Sequence, residues 1–347
     1  MNHLIPLVIK EYIYFVQRKF VHLFRPLVNI GDLITKVSKK PIALGFEVTN
    51  SCNANCIFCG YQYLKRPKAT LPMDLFKKAV DEFDAFGGGR VSFTPVVGEP
   101  LLDPNFLEKI KYAKAKKNIS LEVFFTNGIL INKIGARSII RSGVDQIAVS
   151  IGAFDTQTYA RIFRVNHWND VYEGILNLLR ENELCNNRVN ISIRLHSDIG
   201  LRKLVKTPAY KELKRFRFGL MYNIYYSNIY YDNWGGLIKQ ENLSKTMNVR
   251  KSPKKIEPCL FLYTAPTILS NGDLTLCGCR DLNGDLVVGN IKDKPILEIW
   301  QDERVKNVRN GFYLSRYPRV CQGCSFYQDL SYFTEEKIRI LLRDRPL

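Results

Sequence analysis

A regular alternation of strand-like and helix-like runs between residues 42 and 226 constrains this chain more than any other feature. Apolar segments rich in β-branched residues at 42–48, 91–95, 121–125, 146–151, 189–195 and 221–226 read as buried strands. Stretches with helical periodicity fall between them at 73–86, 105–116, 133–142, 170–184 and 205–214. Strand and helix in alternation build βα units on a parallel sheet. Six units fit an open, partial (β/α)6 TIM-like barrel, an α/β fold, better than a closed eightfold one. In such folds the chemistry collects at the C-terminal ends of the strands.

The chain has 347 residues, more than one core usually serves, so a large domain plus a smaller one is expected. Changes in composition divide it into four stretches: an amphipathic helical extension at 1–40, the barrel at 41–236, a small α+β domain at 237–330 and a helical tail at 331–347. The extension mixes Leu7, Tyr12, Phe15 and Phe20 with Lys10, Arg18 and Lys19. It suits a helix packed across the following domain, or one making peripheral contact with an anionic membrane. No uncharged apolar run reaches eighteen residues, and Lys10 and Glu11 interrupt any signal peptide. The expected location is the cytoplasm, or its inner membrane face if the extension binds lipid. In that compartment nine cysteines are metal ligands or free thiols before they are disulfides.

The balance of 51 Lys and Arg against 33 Asp and Glu gives a net charge of +18. Basic clusters at 109–117, 202–217 and 250–255 read as solvated faces, or as attraction for a phosphate-bearing substrate, an acidic redox partner or a membrane surface. They carry little interleaved aromatic character and no recognised binding module, so nucleic acid is not expected as a partner.

Directly after the first strand stands Cys52-Asn-Ala-Asn-Cys56-Ile-Phe-Cys59. An electron-transfer cluster takes four cysteines, so three on one loop suggest a cluster whose open iron binds something else. A zinc loop with a distant fourth ligand fits the same spacing. A second group comprises Cys259, Cys277, Cys279 and the pair Cys321-Gln-Gly-Cys324. Within it, Asn271-Gly272-Asp273 is expected to make a type I′ hairpin turn and 294–309 a helix. Cys185, at a helix end, reads as inert.

With these features in order, the sequence resembles the radical S-adenosylmethionine (SAM) superfamily. Cys52, Cys56 and Cys59, with aromatic Phe58 before the last, match its signature. Val97-Gly98-Glu99-Pro100 resembles its glycine-glycine-glutamate-proline motif, with Val97 in place of the first glycine, and Thr126-Asn127-Gly128 ends the third strand as expected. The C-terminal region is similar to the SPASM/twitch extension, through Cys259, the Gly272–x4–Cys277 arrangement, Gly289-Asn290-Ile291 and the closing cysteine pair.

The resemblance implies a SAM-binding 4Fe–4S cluster on Cys52, Cys56 and Cys59, whose open iron chelates SAM. A 5′-deoxyadenosyl radical would then abstract hydrogen from a substrate C–H bond. It implies SAM contacts from Phe58, Gly98, Glu99, Pro100, Asn127, Ser150 and Arg194, the arginine fork suiting the SAM carboxylate. Arg194 also reads as a strand arginine reaching the surface, and His196 as a rim histidine. Gly152 stands where relatives often carry aspartate. Cys259, Cys277, Cys321 and Cys324 would hold one auxiliary 4Fe–4S cluster. Leu330 and Phe333 occupy the region where a full SPASM domain has further cysteines, so two clusters are expected. Cys279 is left over, as a hydrogen donor to a substrate radical or a small buried hydrophobe.

The implied activity is oxidation (dehydrogenation) or epimerisation of a sugar, nucleotide sugar or aminocyclitol, with the auxiliary cluster taking an electron and a flavodoxin or ferredoxin as reductant. The alternatives are modification of a ribosomally made peptide and, from another class, a non-catalytic iron–sulfur or zinc protein. Tyr225, Tyr226, Asp232 and Trp234 stand where pocket walls would be.

Overall fold

Each of the six apolar runs forms strand, and each strand delivers its C-terminal end to one rim. The structure, a computed structural model, describes residues 34–35 and 38–330 apart from 94–95, 122–123, 223, 226–227, 245 and 256. The extension at 1–40 lies almost wholly outside the described residues, as does the tail at 331–347. No described helix is long and apolar enough to cross a membrane.

Strands β1 (Ala43–Phe46), β2 (Gly89–Ser92) and β3 (Ile119–Leu121) pair in parallel in that order. Strands β4 (Phe124–Thr126), β5 (Gln146–Ile151), β6 (Asn190–Leu195) and β7 (Gly219–Tyr222) form a second parallel sheet. The third expected strand is thus β3 and β4 on either side of residues 122–123. Beyond β7 come β8 (Ile224–Tyr225), β9 (Asn228–Tyr231) and β10 (Met247–Val249), a separate three-stranded sheet. This is the α/β, partial TIM-like barrel read from the sequence.

The helix Met73–Ala85 shows why the units close. It buries Leu75, Phe76, Ala79, Val80 and Phe83 at helical spacing against the sheet. Phe46, Phe76, Phe93, Phe106 and Phe124 continue the packing as a ladder of rings with centroids 4.7–6.2 Å apart. Each such burial stabilises by about 1.5–3 kcal/mol.

Several elements depart from expectation. The helix over 133–142 is two pieces, Ile131–Ile134 and Ala136–Ile140, separated at Gly135, whose φ is 92°. The helix over 205–214 starts only at Pro208, as Pro208–Leu213, because proline cannot donate into a preceding turn; a separate short helix, Leu201–Leu204, precedes it. The stretch 294–309 is also two helices, Ile296–Gln301 and Glu303–Tyr313. Asp302, in extended backbone, caps the second by accepting the Arg304 N–H. Helix Thr156–Phe163 was not anticipated.

In the C-terminal region, β11 (Thr267–Ile268), β12 (Asp273–Thr275) and β13 (Val287–Asn290) form an antiparallel set. The hairpin joining β11 to β12 is not type I′. That turn needs two residues at positive φ, and here Gly272 has φ 94° while Asn271 does not join it. Strand β11 lies parallel to β1, so one six-stranded sheet runs β13-β12-β11-β1-β2-β3. The C-terminal strands therefore continue the barrel sheet at its first strand. Glu47, just past β1, is fully buried and holds this junction. Arg66 donates to both its oxygens at 2.9 and 2.7 Å, the Ser270 hydroxyl donates at 3.1 Å, and Arg66 Nε reaches the Leu282 carbonyl at 2.8 Å.

Candidate active site at the strand ends

The cysteine loop leaves β1 and is anchored by backbone bonds at both ends. Asn55 and Ile57 donate to the Phe163 and Ile162 carbonyls, the unpaired C-terminal acceptors of helix Thr156–Phe163. Cys52 N–H donates to the Tyr61 hydroxyl at 3.1 Å, and Tyr61 N–H points at Cys59 Sγ at 3.5 Å. The unexpected helix thus positions the loop.

Gly98 comes off β2 and passes so close to the β1 rim that a Cβ would lie 2.2 Å from the Thr49 carbonyl oxygen. Its φ of 118° is one that glycine alone adopts freely. The next residue, Glu99, is 2% exposed. Its carboxylate accepts from the Thr126 hydroxyl and the Asn127 N–H, both at 2.7 Å, and from Leu101 N–H at 3.2 Å. Burial still pushes its pKa up to about 7. Glu99 thereby ties the β2 and β4 rims together. Pro100 opens the short turn that follows. Asn127 then reaches the cysteine loop, its amide donating to Asn53 at 2.7 Å and lying 3.8 Å from Cys52 Sγ.

Ser150 and Arg194 are register partners across β5 and β6. Arg194 is half-buried, its guanidinium over the Phe125 ring at 5.1 Å and its Nε buried. Gly152 packs on Ile162 and Phe163, where a Cβ would have 3.2–3.4 Å of room. Phe58 stacks on His196 at 4.2 Å and 14°. Burial depresses the His196 pKa, so its ring is neutral.

Three buried polar atoms around this loop have no protein partner: Arg194 Nε, His196 Nδ1 and the Tyr159 hydroxyl. A buried donor without a partner costs about 1–3 kcal/mol, so a ligand that accepts from them fits the space. The thiols fit a cationic cluster in the same way. Burial and the charges of its neighbours push Cys52 up to about 12, and burial with the two companion thiols raises Cys56. A bound metal centre is the counter-charge that would relieve them. Among the described residues no group of three or more His, Cys, Asp or Glu converges as the ligands of one metal ion would.

The second group forms around another cavity, lined by Cys259, Cys277, Cys321 and Cys324 with Lys255 and Arg280 in its wall. Burial raises Cys259 to about 12 and Cys324 to about 11, and neighbouring thiols add to both. Four half-buried thiols lining one cavity fit a four-cysteine cluster. Cys277 departs downward because the Cys279 thiol donates to it. Cys279 is engaged there and is absent from the lining of both this cavity and the cleft described next. Cys185 caps a helix away from either group.

A cleft of about 520 Å³ lies between the two groups. Tyr63 and Lys65 from the segment after Cys59 line it together with Trp234, Arg280, Asn283 and Arg319. Trp234 Nε1 donates to the Phe58 carbonyl at 2.9 Å, and Asp232 accepts from Ser325 at 2.9 Å, beside Cys324. Asp232 and Trp234, expected as pocket walls, thus bridge the two cysteine groups. Tyr226 lies outside the described residues, and only the backbone of Tyr225 is described. Sequence reasoning missed Arg280; its place directly after Cys279 was the available signal.

Comparison with known proteins agrees with this geometry. Residues 46–214 match the family model for the radical SAM superfamily, and residues 259–325 match the SPASM iron–sulfur cluster-binding domain. The chain is 28% identical over 138 residues to a GTP 3′,8-cyclase of Lactiplantibacillus plantarum, covering 37% of this chain and 39% of the relative. It spans less than half the length of the curated relatives it matches. Among solved structures, BtrN with AdoMet and 2-DOIA superposes with a TM-score of 0.54 at 17% identity, over 82% of this chain and 93% of BtrN. Streptococcus suis SuiB bound to its precursor peptide SuiA gives 0.57 at 16% identity, over 88% and 76%. At these identities the likeness is one of fold.

Proposed function

The chain belongs to the radical SAM superfamily and carries a SPASM iron–sulfur domain, and from that premise we propose that it oxidises a small anionic substrate at an alcohol carbon. A phosphorylated or nucleotide-linked sugar, or an aminocyclitol, is the class of substrate we favour. When bound, SAM and its 4Fe–4S cluster supply a carbon radical that takes hydrogen from C–H bonds, and the auxiliary cluster supplies an electron acceptor. The protein's own residues position and shield. Arg194 offers its unpartnered Nε to the SAM carboxylate, Gly98 lets backbone approach the SAM amino group, and Phe58 on His196 walls the loop from water. Ser150 and Asn127 complete the rim.

The observation that carries the substrate reading is the cleft itself. It is lined by residues that follow Cys59 and by Val320 next to Cys321, and it presents Lys65, Arg280 and Arg319 against one carboxylate, Asp285. Such a lining favours an anion. Oxidation is favoured over epimerisation because Cys279, the expected hydrogen donor, does not line the cleft. A net charge of +18 suits an acidic flavodoxin or ferredoxin as reductant, which implies a cytoplasmic site of action. The division into a barrel at 41–236 and a cluster domain at 237–330 is part of the same proposal, supported by the two matched stretches.

Anaerobic reconstitution with iron and sulfide, then reduction and addition of SAM with nucleotide sugars, sugar phosphates or cyclitols, tests this. The expected results are roughly eight irons per chain, substrate-dependent deoxyadenosine, and a product about two mass units lighter. Cys52→Ser should abolish SAM cleavage, and Cys259→Ser should leave about half the iron. A product of unchanged mass carrying solvent deuterium would replace oxidation by epimerisation. Zinc as the sole metal, with no SAM binding, would end the enzyme reading.

A further inference from the structure

We infer that Arg280 is a positioning residue shared by the two cluster sites, its fixed positive charge raising the reduction potential of both. This rests on the reading that both cysteine groups hold iron–sulfur clusters.

Arg280 is held from every side. Its guanidinium lies between the Trp234 ring at 4.6 Å and the Phe326 ring at 4.3 Å. Its Nε is ion-paired with Asp232, and another nitrogen donates to the Cys279 carbonyl. A guanidinium remains protonated even when enclosed. The side chain lines both the four-cysteine cavity and the cleft.

The surrounding residues lock this charge to both loops. Trp234 donates to the Phe58 carbonyl, one residue before Cys59, and Gly60 packs on the indole so tightly that a Cβ would stand 2.5 Å from it. Asn233 exchanges bonds with Ser325 at 2.9 and 3.0 Å and donates to the Gly323 carbonyl at 2.7 Å, next to Cys324. The charge is therefore fixed in distance from each site. Its field has a short path to both: the side chain lines the cavity of Cys259, Cys277, Cys321 and Cys324, and it stacks on Trp234, which is bonded to the residue before Cys59. Cluster potentials follow local charge and hydrogen bonding, and a cation favours the reduced, more negative cluster. Asp232, paired with Arg280, opposes that field. The two residues must then shift the potentials in opposite directions.

The test is a redox titration followed by electron paramagnetic resonance on the reconstituted enzyme, after counting iron. Arg280→Gln should lower both midpoint potentials, and Asp232→Asn should raise them. Arg280→Lys, which keeps charge without the fork, should show less than half the Arg280→Gln shift. Parental potentials in Arg280→Gln and Asp232→Asn at full iron content would overturn the inference, as would shifts of one sign in both, the mark of a merely structural role. If Arg280→Gln does not load, Asp232→Asn decides: a rise supports the inference, and no change or a fall overturns it. A parent enzyme with no clusters would defeat the functional reading, and this inference with it.

Discussion

Replacing Arg66 by methionine should destabilise the protein by about 3–5 kcal/mol, the usual cost of leaving one partner of a buried ion pair alone. Glu47 has no solvent exposure and Arg66 little, with side chains at 0% and 11%. Arg66→Met removes both guanidinium bonds, at 2.9 and 2.7 Å, and leaves the carboxylate only Ser270, whose hydroxyl and N–H lie at 3.1 and 3.3 Å. The Leu282 carbonyl loses its donor as well. Native stabilities run to about 5–15 kcal/mol, so the loss is a large fraction of the whole. Urea unfolding of the reconstituted protein, followed by circular dichroism, reads it directly. The double variant Glu47→Met/Arg66→Met should recover part of the loss, because no charge is stranded, although Ser270 keeps an unmet cost of about 1–3 kcal/mol. A single variant within about 1 kcal/mol of the parent, or a double variant equal to the sum of two singles, would refute the argument, since contacting residues must couple.

Further expectations concern the rims. Gly98→Ala should cost about 1–3 kcal/mol from backbone strain alone and weaken SAM binding in equilibrium dialysis, because a Cβ there meets the Thr49 carbonyl. His196→Phe preserves the stack on Phe58 and should flatten the acid limb of the stability curve. The folded histidine pKa is held well below 6.5, so the unfolded chain takes up the proton first as pH falls through that value. The parent should then lose up to about 1.4 kcal/mol per pH unit, in a window where the variant loses less; identical urea midpoints from pH 7 to pH 5 would contradict this. Cys279→Ser should retain roughly eight irons per chain, and a fall to about four would make Cys279 a ligand.

Much of this arrangement was legible because it is local. Strands with β-branched runs, the cysteine spacing and the Gly98-Glu99-Pro100 turn each leave a pattern within a few residues. Misread elements were those decided by one capping or breaking residue, such as Asp302, Gly135 and Pro208. Helix Thr156–Phe163 offered only its Asp155 cap, which accepts the Thr158 N–H at 2.8 Å. Arg66 and Arg280 were invisible for a different reason. Each is one basic residue among 51 Lys and Arg, and its meaning lies in partners far along the chain. Glu99 is intermediate: its motif marked the place, while the structure shows a carboxylate occupied by Thr126 and Asn127.

The pairing of β11 with β1 has a consequence for synthesis. Glu47 must wait for Ser270, 223 positions later. At about 5–20 residues per second the ribosome needs roughly 10–45 s to supply that partner. Throughout that interval the β1 edge carries unpaired backbone groups, a template for wrong pairing, and Glu47 has only Arg66 as a partner. The nascent barrel is thus half-finished until its last third emerges, and the yield of folded protein in a cell should depend on chaperones that occupy that edge.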